Sequence, residues 1–284
     1  MNNPHYKHLL LLTLATVFIS TSGALGKYIN MPTTVIIWWR CALAAIFLFL
    51  FCWFKGFELN IGSKKDRSSF LITAILMGGH WITYFYSLKL SNVAIGMLSL
   101  FTFPVITAFL EPLFFKTKLD YAHLILGALV LVGVYILTPE FNLQSTELQG
   151  VFFGILSAIL YACRNLMLKQ KSRYYNGSVL MFYQVAILTV ILLPTLFFKD
   201  SSGIKTEYPF VILLALLTTA IGHTMFVNSF KHFKVSTASI IGSSQPVFGI
   251  IIAFFFLNEI PSWNIVFGGS LILLTVIIES VRSK

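Results

Sequence analysis

The chain has little charge. Asp, Glu, Lys and Arg together make up 11% of its 284 residues, against 57% apolar ones. That is too little polar surface to coat a water-soluble globule of this size. Acids are scarcer still, ten in all, and nearly all fall in connections between apolar runs. There is no Asp-rich motif, His-x-x-Glu-His or Gly-x-Ser-x-Gly, so the paired acids, metal cluster or activated nucleophile of a membrane-embedded enzyme are missing. Cys41, Cys52 and Cys163 all lie inside apolar runs and offer neither a disulfide framework nor metal spacing. No cofactor or metal is implied.

Long apolar runs are what the chain does have. Segments of about 20 residues, enough to cross ~30 Å of hydrocarbon as a helix, recur at 8–29, 33–54, 68–90, 93–115, 121–137, 148–168, 178–198, 209–230, 235–257 and 263–281. Their length, without the alternation of a barrel strand, predicts helices. The expected fold is therefore all-α integral membrane, with ten transmembrane helices and no separate soluble domain. The first run is too long for a signal-peptide core and is expected to stay in the mature protein.

The net charge of +10 invites a nucleic-acid reading, but the basic residues are sorted by side. With the amino terminus in the cytoplasm, fourteen Lys and Arg lie inside and four (Lys27, Lys89, Lys199 and Lys205) lie outside. This is a positive-inside signal with both termini cytoplasmic. It gives no support to nucleic-acid binding.

The stretch 87–136 returns at 229–278 without a gap. Ser87/Ser229, Lys89/Lys231, Pro104/Pro246 and Gly127/Gly269 match together with seven apolar pairs. An ungapped register carrying Ser, Lys, Pro and Gly reads as a duplication. It divides the chain into a first repeat over 1–138, an outer connection over 139–147 and a second repeat over 148–284. Five crossings per repeat is an odd number, so the second copy enters the membrane in the opposite sense. Such inverted five-helix repeats place a binding site near the bilayer centre, where the halves meet, and support alternating access.

Candidate site residues are polar side chains on otherwise apolar helices. Arg40 lies ~12 Å below the outer boundary at 1.5 Å per residue. A guanidinium there costs at least ~2.5 kcal/mol, and it either locks helices together or binds substrate. His80, Trp81 and Tyr84 in the third span, Tyr161 in the sixth and His223 in the eighth suit a moderately polar cavity wall. Ser243 and Gln245 flank Pro246 on the small face of the ninth span. Pro104 and Pro246 are expected to kink their helices. Glu111, the one acid placed inside a span, is either a lysine-paired carboxylate beside Lys116 and Lys118 or a proton site, and His80 and His223 are the other proton-coupling candidates. Lys27 and Arg164 lie near span ends and are expected to snorkel. Tyr183 and Gln184 are expected at the periphery.

With ten spans in two halves, Arg40 in the second, Pro104 and Pro246 in the fourth and ninth, and Asn258-Glu259 after the ninth, the chain resembles the drug/metabolite transporter superfamily, specifically its EamA-like branch. That branch often has Gly-Glu where this chain has Asn258-Glu259. The matching position after the fourth span departs, reading 115–118 as Phe-Lys-Thr-Lys. The resemblance implies a ten-helix inverted-repeat exporter of small metabolites; the expected setting is the bacterial inner membrane, as monomer or homodimer, with lipid and a small-molecule substrate as partners. Without an acid at mid-cavity, a zwitterion or neutral polar metabolite such as an amino acid is favoured. Alternatives are efflux of cationic drugs, which usually wants such an acid, and a nucleotide-sugar carrier, which wants several buried Lys or Arg.

Overall fold

The computed structural model describes residues 4–115, 121–137, 144–233, 238, 241–242 and 244–282; Ser243, Lys116 and Lys118 lie outside that set. The elements are α1 (Pro4–Tyr28), α2 (Thr33–Phe54), α3 (Lys64–Leu90), α4 (Val93–Leu100), α5 (Phe103–Phe115), α6 (Tyr121–Leu137), α7 (Thr146–Lys171), α8 (Gly177–Leu192), α9 (Thr195–Phe198) and α10 (Ile204–Leu213). A π-helical stretch (Leu214–His223), α11 (Thr224–Ser229), α12 (Gln245–Leu257) and α13 (Trp263–Arg282) complete the order. No strand occurs among the described residues.

Seven described stretches are helical, long and apolar enough to cross a membrane: Lys7–Tyr28, Thr33–Phe54, Lys64–Leu90, Val93–Phe115, Thr146–Lys171, Gly177–Phe198 and Ile204–Ser229. Three shorter apolar helices (Ile125–Ile136, Gln245–Leu257 and Trp263–Thr275) accompany them.

Local chemistry sets many of the ends. Ser63 accepts from the Asp66 N–H at 3.1 Å to open α3, and Asn92 Oδ1 accepts from the Ile95 N–H at 2.9 Å to open α4. Asn176 accepts from the Ser178 N–H at the start of α8. The run 93–115 is not one rod, because α4 stops at Leu100 and α5 restarts at Phe103, with Pro104 in its first turn, where a missing N–H costs nothing. The described residues of the second half show one matching start. There α12 begins at Gln245, the counterpart of Phe103, with Pro246 in its first turn. Both prolines are buried.

Tight packing comes from small residues, as expected where lipid removes the hydrophobic drive between helices. Helix α7 lies against α3 and α4: a Cβ on Gly154 would stand 2.4 Å from that of Ser99, and Ser87 donates to the Gly150 carbonyl at 2.6 Å. Helix α6 pairs with α13, where a Cβ on Gly133 would meet Ile272. Helix α2 packs on α8, and the Trp38 indole donates to the Thr189 carbonyl at 2.9 Å. Helix α1 packs on the π-helical stretch and on α12.

Two expectations about span ends fail here. Lys27 does not reach out to an interface. It is part-buried and donates to the carbonyls of Leu88 at 2.8 Å and Ser91 at 2.5 Å, closing the end of α3. Those carbonyls have no partner within their own helix, so a nearby ammonium is held by them more strongly than by an interface. Arg164 does not snorkel either. It is 0% exposed, and its guanidinium donates to Gln184 Oε1 at 2.9 Å and Asn165 Oδ1 at 3.0 Å, with Met181 Sδ at 3.0 Å. Gln184 is accordingly a buried partner of a charged group, and α8 is no peripheral helix at that point.

Candidate substrate site

A small cavity of about 20 Å³ lies where α1, α3, α4, α5, α7, the π-helical stretch and α12 converge. His80, Trp81 and Tyr84 reach it from one face of α3, at the i, i+1 and i+4 spacing that a single helix face allows. Tyr161 comes from α7, His223 from the last turn of the π-helical stretch and Gln245 from the first turn of α12. The structure thus brings together six residues picked out by sequence, while Ser243 lies outside the described residues. Ile19, Ser22, Met97, Leu100, Phe101 and Phe103 complete the wall. Ile19, Phe101 and Phe103 were not singled out, because an apolar residue facing a cavity looks in sequence like one facing a neighbour. Gly249 admits Met97 to this region: a Cβ there would stand 2.0 Å from the thioether sulfur.

The aromatic rings form a continuous lining. His80 stacks on Tyr161 with centroids 4.4 Å apart and 24° between planes, and Phe103 meets Tyr161 edge-on at 4.9 Å. Trp81 and His223 lie 5.6 Å apart. The ungapped register of the two stretches, extended to these positions, pairs Trp81 with His223. Ser157 Oγ donates to the His80 carbonyl at 2.9 Å and lies 2.7 Å from His80 Nδ1. Having spent its one proton, the hydroxyl accepts from Nδ1, which assigns the Nδ1–H tautomer from the network.

Arg40 is 1% exposed and stands immediately behind this wall. Its Cζ lies 3.9 Å from the Trp81 ring centroid, a close cation–π contact. Nε donates to Thr219 Oγ1 at 2.6 Å and Nη2 to Thr218 Oγ1 at 3.1 Å, while Nη1 has no partner. The π winding brings two adjacent threonines to one guanidinium. Both hydroxyls also bond the Leu214 carbonyl, at 2.5 Å for Thr218 and 3.3 Å for Thr219. Wide turns of this kind occur often at functional sites. Their sequence signal, a Thr pair in the eighth span, was visible, but the winding was not. The Trp81 Nε1 and His223 Nδ1 atoms are also buried without partners.

Glu111 is not on this wall. It sits on α5, 43% exposed, with an oxygen 3.8 Å from Lys169 Nζ. No cluster of three or more His, Cys, Asp or Glu able to hold a metal occurs among the described residues.

Neutral donors, aromatic faces and an unspent guanidinium N–H can recognise a small polar molecule. Comparison with known proteins places the chain in a family. The EamA-like transporter family matches over residues 7–138 and again over 148–281. A pseudopaline exporter of Pseudomonas aeruginosa is 23% identical over 278 residues, covering 97% of this chain and 96% of that protein. An S-adenosylmethionine uptake transporter of Rickettsia felis is 30% identical over 119 residues, 42% of this chain and 40% of that one. A solved crystal structure superposes with a TM-score of 0.70 at 15% identity, covering 98% and 97% of the two chains, which shows a shared fold.

Proposed function

The chain belongs to the EamA-like transporter family, and from that premise we propose that it exports small metabolites, amino acids among them, by alternating access across the bacterial inner membrane. It is a multi-pass membrane protein, and its named relatives point to a transporter rather than an enzyme. The finer reading is a ten-helix bundle of two inverted five-helix repeats, 1–138 and 148–284, joined by 139–147, with both termini cytoplasmic. The two family matches fall on those halves. The neighbour relations support it as well. Exchanging the halves turns the α3–α7 contact into that between the π-helical stretch and α1, and returns α2–α8 and α6–α13 to themselves.

One observation carries the transport reading. The register-equivalent pair Trp81 and His223 meets on the wall of a cavity of about 20 Å³ that residues of both halves line. A volume near that of one water cannot hold a metabolite. A site lined from both halves is where alternating access binds and releases its cargo.

Purified protein in proteoliposomes loaded with unlabelled amino acids should take up the labelled one by counterflow, saturably, and Trp81→Ala should abolish it. Absence of counterflow across an amino-acid panel would remove the amino-acid assignment. Flux that rises linearly with solute and shows no counterflow would replace the carrier with a channel. Flux of quaternary ammonium compounds in place of amino acids would favour drug efflux.

A further inference from the structure

We infer that the central site selects its cargo by negative charge, and that Arg40 and Arg164 are the residues that impose this. The ligand class is a metabolite bearing at least one carboxylate, preferred over its neutral and cationic analogues. This rests on the transport reading and narrows its substrate.

Each of the two guanidiniums stands behind an aromatic residue of the cavity wall. Arg40 Cζ lies 3.9 Å from the Trp81 ring centroid, and Arg164 Cζ lies 5.9 Å from that of Tyr161. Both arginines are essentially without solvent contact. Neither forms an ion pair with any described carboxylate; the described ion pairs are Lys169 with Glu111 and Lys171 with Asp66. Burying an unpaired cation is costly, and in a membrane such groups pair with another charge, a carbonyl or a ligand. Here the hydrogen-bonding partners are neutral: threonine hydroxyls for Arg40, and two amide oxygens and a thioether for Arg164. Two positive charges therefore remain uncompensated beside a water-poor cavity, where fields are weakly screened.

The two charges differ in what else they offer. Arg164 has its partners and contributes only its field. Arg40 keeps an unpaired Nη1, and the neighbouring Trp81 Nε1 is a second unpaired donor. Unspent donors call for an acceptor, and a carboxylate supplies oxygen lone pairs together with the missing negative charge. Opening of the cavity brings such a group within reach of Nη1. A cationic ligand would meet the same charges as repulsion and leave both donors unused.

The test uses the full-length purified protein and four probes sharing one ring: phenylsuccinate, phenylpropionate, phenylalanine and phenylalaninamide. Thermal stabilisation should fall in that order, with phenylpropionate at least about tenfold tighter than phenylalaninamide. Arg40→Gln should flatten the order and Arg40→Lys should keep it. If Arg40→Gln does not fold, the wild-type order and Arg164→Gln, which should weaken phenylsuccinate more than phenylalanine, decide the matter. Equal or greater stabilisation by phenylalaninamide, or none by any carboxylate, overturns the inference. The two readings fail separately: counterflow of cations alone would leave transport standing without charge selection, whereas carboxylate binding without flux of any solute would do the reverse.

Discussion

The two ends of the bundle are closed by charges used in opposite ways. At one end, Lys27 of α1 donates to carbonyls at the end of α3, and the Glu259 carboxylate after α12 accepts from the Val93 N–H at 2.8 Å at the start of α4. Elements from both halves thus grip the junction of α3 and α4, each through a backbone end that has no partner of its own. At the other end, Asp66 of α3 pairs with Lys171 of α7 and accepts from Tyr175 at 3.1 Å, side chain to side chain and near the surface. A surface ion pair trades readily for water and is screened by salt, whereas a carbonyl or amide left bare inside a bundle does not find a substitute. The Asp66 end is therefore expected to open at lower cost, and the difference can be tested one substitution at a time.

Lys27→Met should have the largest effect, because it strands at least two carbonyls. We expect a loss of about 1–3 kcal/mol, seen as a lowered unfolding midpoint, and faster labelling of a cysteine placed at Ala94. A smaller loss than that of Asp66→Asn would reverse the comparison.

The helix stop beside Glu259 comes next. Asn258 has φ of 55°, left-handed backbone that favours glycine, and this explains why Asn stands where the family often has Gly. Asn258→Val should cost about 1–2 kcal/mol and Asn258→Gly almost nothing. Equal costs would mean that the side chain, not the backbone, holds Glu259 in place.

Asp66→Asn should lower the unfolding midpoint less than Lys27→Met or Asn258→Val. In addition, its difference from wild type should vanish in 1 M salt, where screening acts over about 3 Å. Persistence at high salt would show that the two ends are not so different.

The smallest effect concerns His232, which stacks on His8 at 3.7 Å between centroids, at the Asp66 end. Burial, then the neighbouring His8 and Lys231, holds the His232 imidazole below its usual range. A base depressed in the folded state contributes stability above its unfolded value, near pH 6.5, and loses it as pH falls toward the folded one. Between pH 7.5 and 5 the wild type should lose slightly more stability than His232→Phe, measured as the slope of unfolding midpoint against pH.

The long apolar helices were legible because lipid imposes long apolar runs, and seven described stretches are long and apolar enough to cross a membrane. Helix α5 starts at Phe103 and α12 at Gln245, each one residue before one of the paired prolines. The cavity rings were legible too, since aromatic side chains with polar tips have few reasons to sit in mid-membrane. Arg164 and Lys27 were not. A long basic side chain near a span end can reach outward or inward, and the deciding groups lie on other helices: Gln184 and Met181 for one, the end of α3 for the other. Nor does composition mark the winding at 214–223, because a π turn and an α turn accept the same Leu, Thr and Ala.

That stretch holds slack. Rewinding one of its turns to α pitch would shift the residues on its C-terminal side by roughly one position, about 100° around the axis. His223 would then leave Trp81, and the paired threonines would no longer both face Arg40. One change of winding would release the guanidinium and reshape the cavity together, gearing the two halves through a dislocation inside a helix and without any hinge.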